Sequence, residues 1–148
     1  MTRTRLPGRT FILAASIILL AGVVINVITS IPMLISSAHW DAVIPIFIPW
    51  RYWYIFVLVT SAYTLYMCIN GIKFCNIAEK ANALFVLGTI STFTAAIILV
   101  FNIVALGFNI FLFFGLFLPF LFLIGANKNK NYYDEHGSNL VESPPKEM

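Results

Sequence analysis

The chain has 148 residues, room for a single domain, of which 60% are hydrophobic and only 10% charged, with a net charge of +3. A soluble domain runs roughly 45–50% apolar and about 25% charged, so this composition excludes an ordinary water-soluble globule. So few bases also exclude a nucleic-acid-binding surface. Cys68 and Cys75, seven residues apart on one predicted helix, stand about 10 Å apart along its axis. That is too far for a disulfide, and no C-x-x-C pair offers dithiol redox chemistry.

The charges avoid three runs, residues 11–38, 52–72 and 81–126, which contain no Asp, Glu, Lys, Arg or His. An uncharged apolar run of about 18 residues or more predicts a membrane-spanning helix. After the basic segment with Arg3, Arg5 and Arg9, the first span is expected over about 11–35, bent or stopped near Pro32, which lacks an N–H donor. It is far longer than the roughly 7–15 residues of a signal-peptide core and is read as a retained helix. Residues 36–51 follow, with His39, Trp40 and Asp41, then an apolar stretch broken by Pro45 and Pro49. Together with Trp50, Tyr52, Trp53 and Tyr54 this reads as an interfacial loop, because Trp and Tyr rings favour the headgroup level.

The second span is expected over about 52–70, and residues 71–82 form a short polar connection with Lys73, Glu79 and Lys80. The 46 uncharged residues 81–126 must hold two spans. As one helix they would be about 69 Å long against a hydrocarbon core of about 30 Å. The fold-back is placed between Asn102 and Asn109, at Gly107, giving spans of about 81–102 and 108–126. Residues 1–126 thus form a four-span membrane domain. The polar tail 127–148 cannot bury enough apolar surface to fold alone and is read as flexible.

The expected fold is all-α, a four-helix transmembrane bundle. An even number of spans puts both termini on one side, together with Arg3, Arg5, Arg9, Lys73, Lys80, Lys128, Lys130 and Lys146. Only Arg51 lies opposite. Positive residues mark the cytoplasmic face, so both termini are expected there.

Ionisable groups inside spans mark proton relays and ion paths, and these spans hold none. A proton-driven pump is therefore not expected. His39 and Asp41 fall short of the three or four ligands of a zinc site, and no metal, cofactor or catalytic constellation is expected, so the chain is not read as an enzyme. Asn26 is the polar residue at mid-depth of the first span, either an interhelical hydrogen-bonder or a solute contact. Gly88, Thr92 and Ala96 repeat every four residues on the third span, a small-residue stripe that lets another helix approach closely. Phe108, Phe111, Phe113, Phe114, Phe117, Phe120 and Phe122 surround the fourth, as expected for lipid contact, and Pro119 is expected to kink it. Cys75, just beyond the membrane, is read as a plain reduced thiol.

Asn70-Gly71-Ile72 through Lys80-Ala81, then Leu84-Phe85-Val86-Leu87-Gly88, then Leu118-Pro119-Phe120 to Ile124-Gly125-Ala126-Asn127-Lys128 form a pattern. Over roughly residues 70–130 it resembles small bacterial four-span membrane proteins that have no established activity. The resemblance implies their architecture and a bacterial cytoplasmic membrane, and carries over no catalytic residue. The leading expectation is a non-enzymatic accessory or scaffolding protein whose partners are the lipid bilayer and itself or another membrane protein. The alternative is a small oligomeric transporter or pore for a neutral or weakly charged solute, with Asn26, Thr29 and Ser30 along the path.

Overall fold

Where side chains are apolar and water is scarce, backbone N–H and C=O groups must bond to one another, and a helix does this within one segment. The computed structural model describes residues 6–36, 50–106 and 112–141. There the chain forms α1 (Arg9–Ile35), α2 (Trp50–Phe74), α3 (Ala81–Leu106) and α4 (Leu112–Val141), with a 3-10 turn at Ala78–Lys80 leading into α3. No strand occurs among the described residues. Three helical stretches, Arg9–Ile35, Tyr52–Phe74 and Ala78–Val104, are long and apolar enough to cross a membrane. Only 22% of the most apolar window of each is buried inside the protein. Large apolar side chains such as Ile25, Ile28, Val59 and Phe93 therefore point outward, a surface that suits lipid and not water.

The helices are longer than the uncharged runs suggest. Pro32 lies within α1, and the helix closes one turn later, with Ser36 N donating to the Pro32 carbonyl at 3.0 Å. α2 continues through Gly71 to Phe74, so the connection expected over 71–82 shrinks to residues 75–77 and the 3-10 turn. α3 runs past Asn102 to Leu106, so the fold-back lies beyond 106; Gly107 and Asn109 are outside the described residues, as are His39 and Asp41.

The largest correction concerns the tail. Residues 127–141, expected as a tail, form the second half of α4. A helix already nucleated by its apolar half extends at the gain of one hydrogen bond per residue, and the first polar residues are anchored. Lys128 places its ammonium 4.6 Å from the Phe11 ring centroid, and Lys130 sits 4.7 Å from that of Phe85. The ammonium groups thus stand over the ring faces, in cation–π contact.

α1 packs against α2 and α4, α3 packs against α4, and α2 and α3 make the thinnest of these interfaces. The result is a closed ring of antiparallel neighbours with one weak seam. The core gathers at one end: Ile12 and Ala15 of α1, Met67 and Cys68 of α2, Leu84 of α3, Phe122 and Ala126 of α4. Phe122 is fully buried at its centre. It fits because α2 and α3 each present a glycine to it. A Cβ on Gly71 would come within 2.6 Å of its ring, and one on Gly88 within 3.0 Å.

Asn129 closes the same end. Its Oδ1 accepts from Gly8 N at 2.7 Å and its Nδ2 donates to the Cys75 carbonyl at 3.0 Å. One buried carboxamide thus ties the start of α1, the end of α2 and α4. Asn76 Oδ1 accepts from Leu6 N at 3.2 Å beside it. Gly8 and Gly125 cross so closely that a Cβ on Gly125 would lie 2.8 Å from the Gly8 carbonyl oxygen.

A candidate binding cavity among the four helices

Above the Phe122 core, toward Trp53, the bundle does not close. A cavity of about 470 Å³ lies among all four helices, within the range of about 300–1,000 Å³ typical of small-molecule sites. Glycine explains the space in part. Gly22 of α1 and Gly115 of α4 both line it, and a Cβ on either would meet nothing within 4 Å. Pro119, also in the wall, has no N–H to return to the Gly115 carbonyl one turn back.

The polar lining falls into two groups. Thr60 and Thr64 spend their hydroxyls on their own helix: Thr60 donates to Phe56 and Val57 carbonyls at 3.0 Å, and Thr64 to the Thr60 carbonyl at 2.8 Å. Ser61 and Ser91 do not. They are only 4% and 5% exposed, line the cavity from α2 and α3, and make no hydrogen bond to the described residues. The carboxamides of Asn26 and Asn102 also line it and likewise have no protein partner among those residues. Among the described residues the wall contains no carboxylate, amine, guanidinium or imidazole.

The described wall can donate and accept hydrogen bonds but supplies no charged group of its own. An ion placed there would lose its hydration without a counter-ion, a cost of several kcal/mol even after relaxation. An uncharged molecule with hydroxyl, carbonyl or amide groups would instead pair with Asn26, Ser61, Ser91 and Asn102, whose side chains have no protein partner among the described residues.

The seam between α2 and α3 bounds the cavity at two places. Toward the core, Tyr63 Oη donates to the Leu87 carbonyl at 2.9 Å. Toward the other end, the Trp53 and Phe101 rings stack at 4.3 Å with 11° between their planes.

The residues singled out in the sequence are distributed unevenly. Asn26 lines the cavity. Thr29 instead bonds the Ile25 and Asn26 carbonyls of its own helix at 3.0 and 3.2 Å, and neither it nor Ser30 is part of the wall. Gly88 is buried against Phe122 and Leu123 of α4, so the helix that its small size admits belongs to this same chain. Thr92 donates to the Gly88 carbonyl at 2.8 Å and, like Ala96, is half-buried. Cys75 is buried, its thiol 3.5 Å from the Ile72 carbonyl.

Ser61, Ser91 and Asn102 were not legible as one site. The available signal is a second stripe on α3: Ser91, Thr94, Ala95, Ile98 and Asn102 recur at three- and four-residue spacing beside the Gly88 stripe. Comparison with protein-family models, with curated proteins and with solved structures gives no match to this chain.

Proposed function

We propose that the chain is a four-span integral protein of a bacterial cytoplasmic membrane, with both termini cytoplasmic, that binds and carries a small uncharged molecule. The observation that carries the reading is the cavity wall, where the hydroxyls of Ser61 and Ser91 and the carboxamides of Asn26 and Asn102 have no protein partner among the described residues. A ligand with donors and acceptors gains about 0.5–1.5 kcal/mol for each hydrogen bond it makes there. The orientation is supported by Arg9, Lys73, Lys80, Lys128 and Lys130 at the end closed by Asn129, since basic residues favour the cytoplasmic side. α4 enters the membrane with the apolar stretch before Asn127.

The test is solute flux into liposomes containing the purified protein, across a panel of polyols, amides and short alcohols. A solute whose flux falls on Asn26→Ala supports the reading; flux that ignores Asn26 for every solute contradicts it. No catalytic role is proposed.

The second reading, a non-enzymatic accessory protein, draws on the small-residue stripe of α3. Because Gly88 is already occupied by Phe122, that reading now leans on the outward apolar faces alone. Gentle detergent extraction distinguishes the two. A stoichiometric second protein favours the accessory role, and a pure single species favours the carrier.

A further inference from the structure

Below the cavity, on the same seam, lies a second space of about 290 Å³. It is lined by Tyr66, Asn70 and Phe74 of α2 and by Lys80, Leu84 and Leu87 on the α3 side. The two spaces follow one another on the same helix faces. On α2 the positions run Phe74, Asn70, Tyr66 and then Tyr63 and Thr60; opposite them run Lys80 of the 3-10 turn, then Leu84, Leu87, Ser91 and Ala95 of α3. Leu87 belongs to the wall of the lower space and Tyr63 to that of the upper. The hydrogen bond from Tyr63 Oη to the Leu87 carbonyl therefore stands at the boundary.

That bond is weakly supported by its surroundings. α2 and α3 share the thinnest interface in the ring, so little else holds the helices together there. The Leu87 carbonyl is a backbone group already placed in a helix, so it can lose the phenol and keep its intrahelical partner. Rotation of one side chain would join the cavity to a groove that ends beside Lys80, at the end where the chain's bases collect.

We propose that Tyr63 is the gate residue of a single path for an uncharged, partly polar ligand, leading from the cavity along the α2–α3 seam to the Lys80 end. The path is closed when Tyr63 bonds Leu87. This inference rests on the carrier reading above and adds its route and the residue that controls it. Hydroxyl and amide groups line the upper compartment; the lower is an open groove with the exposed Tyr66 phenol, Lys80 and Asn70, whose Nδ2 donates to the Tyr66 carbonyl at 2.7 Å, so a partly polar ligand finds partners along both.

The experiment places a reporter thiol in the cavity, Ser91→Cys, in sealed vesicles of each orientation. The probe is an uncharged, water-soluble maleimide with a short ethylene glycol chain, added to one side only. The chain without the new thiol is the control, because Cys68 and Cys75 are both buried. From the Trp53 side, the thiol is expected to react equally fast whether residue 63 is unchanged or Tyr63→Ala. From the Lys80 side it is expected to react slowly in the parent and about tenfold faster with Tyr63→Ala, the effect of removing one hydrogen bond of ordinary strength. Tyr63→Phe, which keeps the ring, should fall between and carries the test should the alanine variant not fold. Rates from the Lys80 side that do not change with residue 63 overturn the gate and leave the cavity in place. A thiol that reacts from neither side overturns the cavity reading and the gate with it.

Discussion

The two halves of the bundle use the same four helices and nearly the same residue types, yet one is closed and the other hollow. In the closed half, Gly71 and Gly88 face the fully buried Phe122, and the space their missing side chains leave is filled. In the hollow half, Gly22 and Gly115 line the cavity with nothing within 4 Å of a virtual Cβ. A glycine in a membrane helix is thus a packing device only where a large partner arrives to use it. The polar residues divide less cleanly, since the buried Ser16 Oγ of the closed half also has no hydrogen-bond partner. Asn129 in the closed half satisfies a donor and an acceptor on two other segments, whereas Asn26, Ser61 and Ser91 in the hollow half hold theirs in reserve.

This contrast can be broken first at Phe122. Phe122→Ala empties the closed half and is expected to destabilise the protein by about 3–5 kcal/mol, read as a large fall in melting temperature in detergent. Asn129→Leu keeps the branching at Cγ but strands the Gly8 N–H and the Cys75 carbonyl. A loss of about 2 kcal/mol is expected, with faster amide exchange confined to residues 6–9 and 75–77. Trp53→Ala removes the ring stack at the far end of the seam and should cost about 1 kcal/mol, while raising access of soluble probes to Asn102. Gly22→Val sharpens the comparison most. It should leave stability within about 0.5 kcal/mol of the parent, as for a substitution that meets no neighbour, yet shrink the cavity and reduce solute flux. A Gly22→Val protein as damaged as one with Phe122→Ala would show that the two halves are packed alike.

Much of the architecture was legible because charge is excluded from apolar membrane interiors. The runs 11–38, 52–72 and 81–126 located all four helices, and Asn26 was recognised as the unusual polar group of α1. Other features depend on three-dimensional register. The Gly88 stripe announced a close neighbour, but spacing alone does not say that the neighbour is α4 of the same chain. The continuation of α4 past Asn127 is not legible, because Asn-Lys-Asn-Lys-Asn reads as a tail. Only the meeting of Asn129 with Gly8 and Cys75, 121 and 54 residues away in sequence, turns it into an anchor. Ser61 and Ser91 look like any helical serines until the wall they share is in place.

The central claim is that the hollow half is open to a ligand and the closed half is not. Ser16 and Ser61 test it as a pair, since both are buried serines, at 0% and 4% exposure. Ser16 lies beside Gly71 in the closed half and Ser61 in the cavity wall. Each is replaced by cysteine, and its reaction with N-ethylmaleimide is timed in the native membrane and after denaturation. The account predicts that Ser61→Cys reacts in the folded protein while Ser16→Cys reacts only once it is unfolded. Equal rates for the two in the folded protein would contradict it.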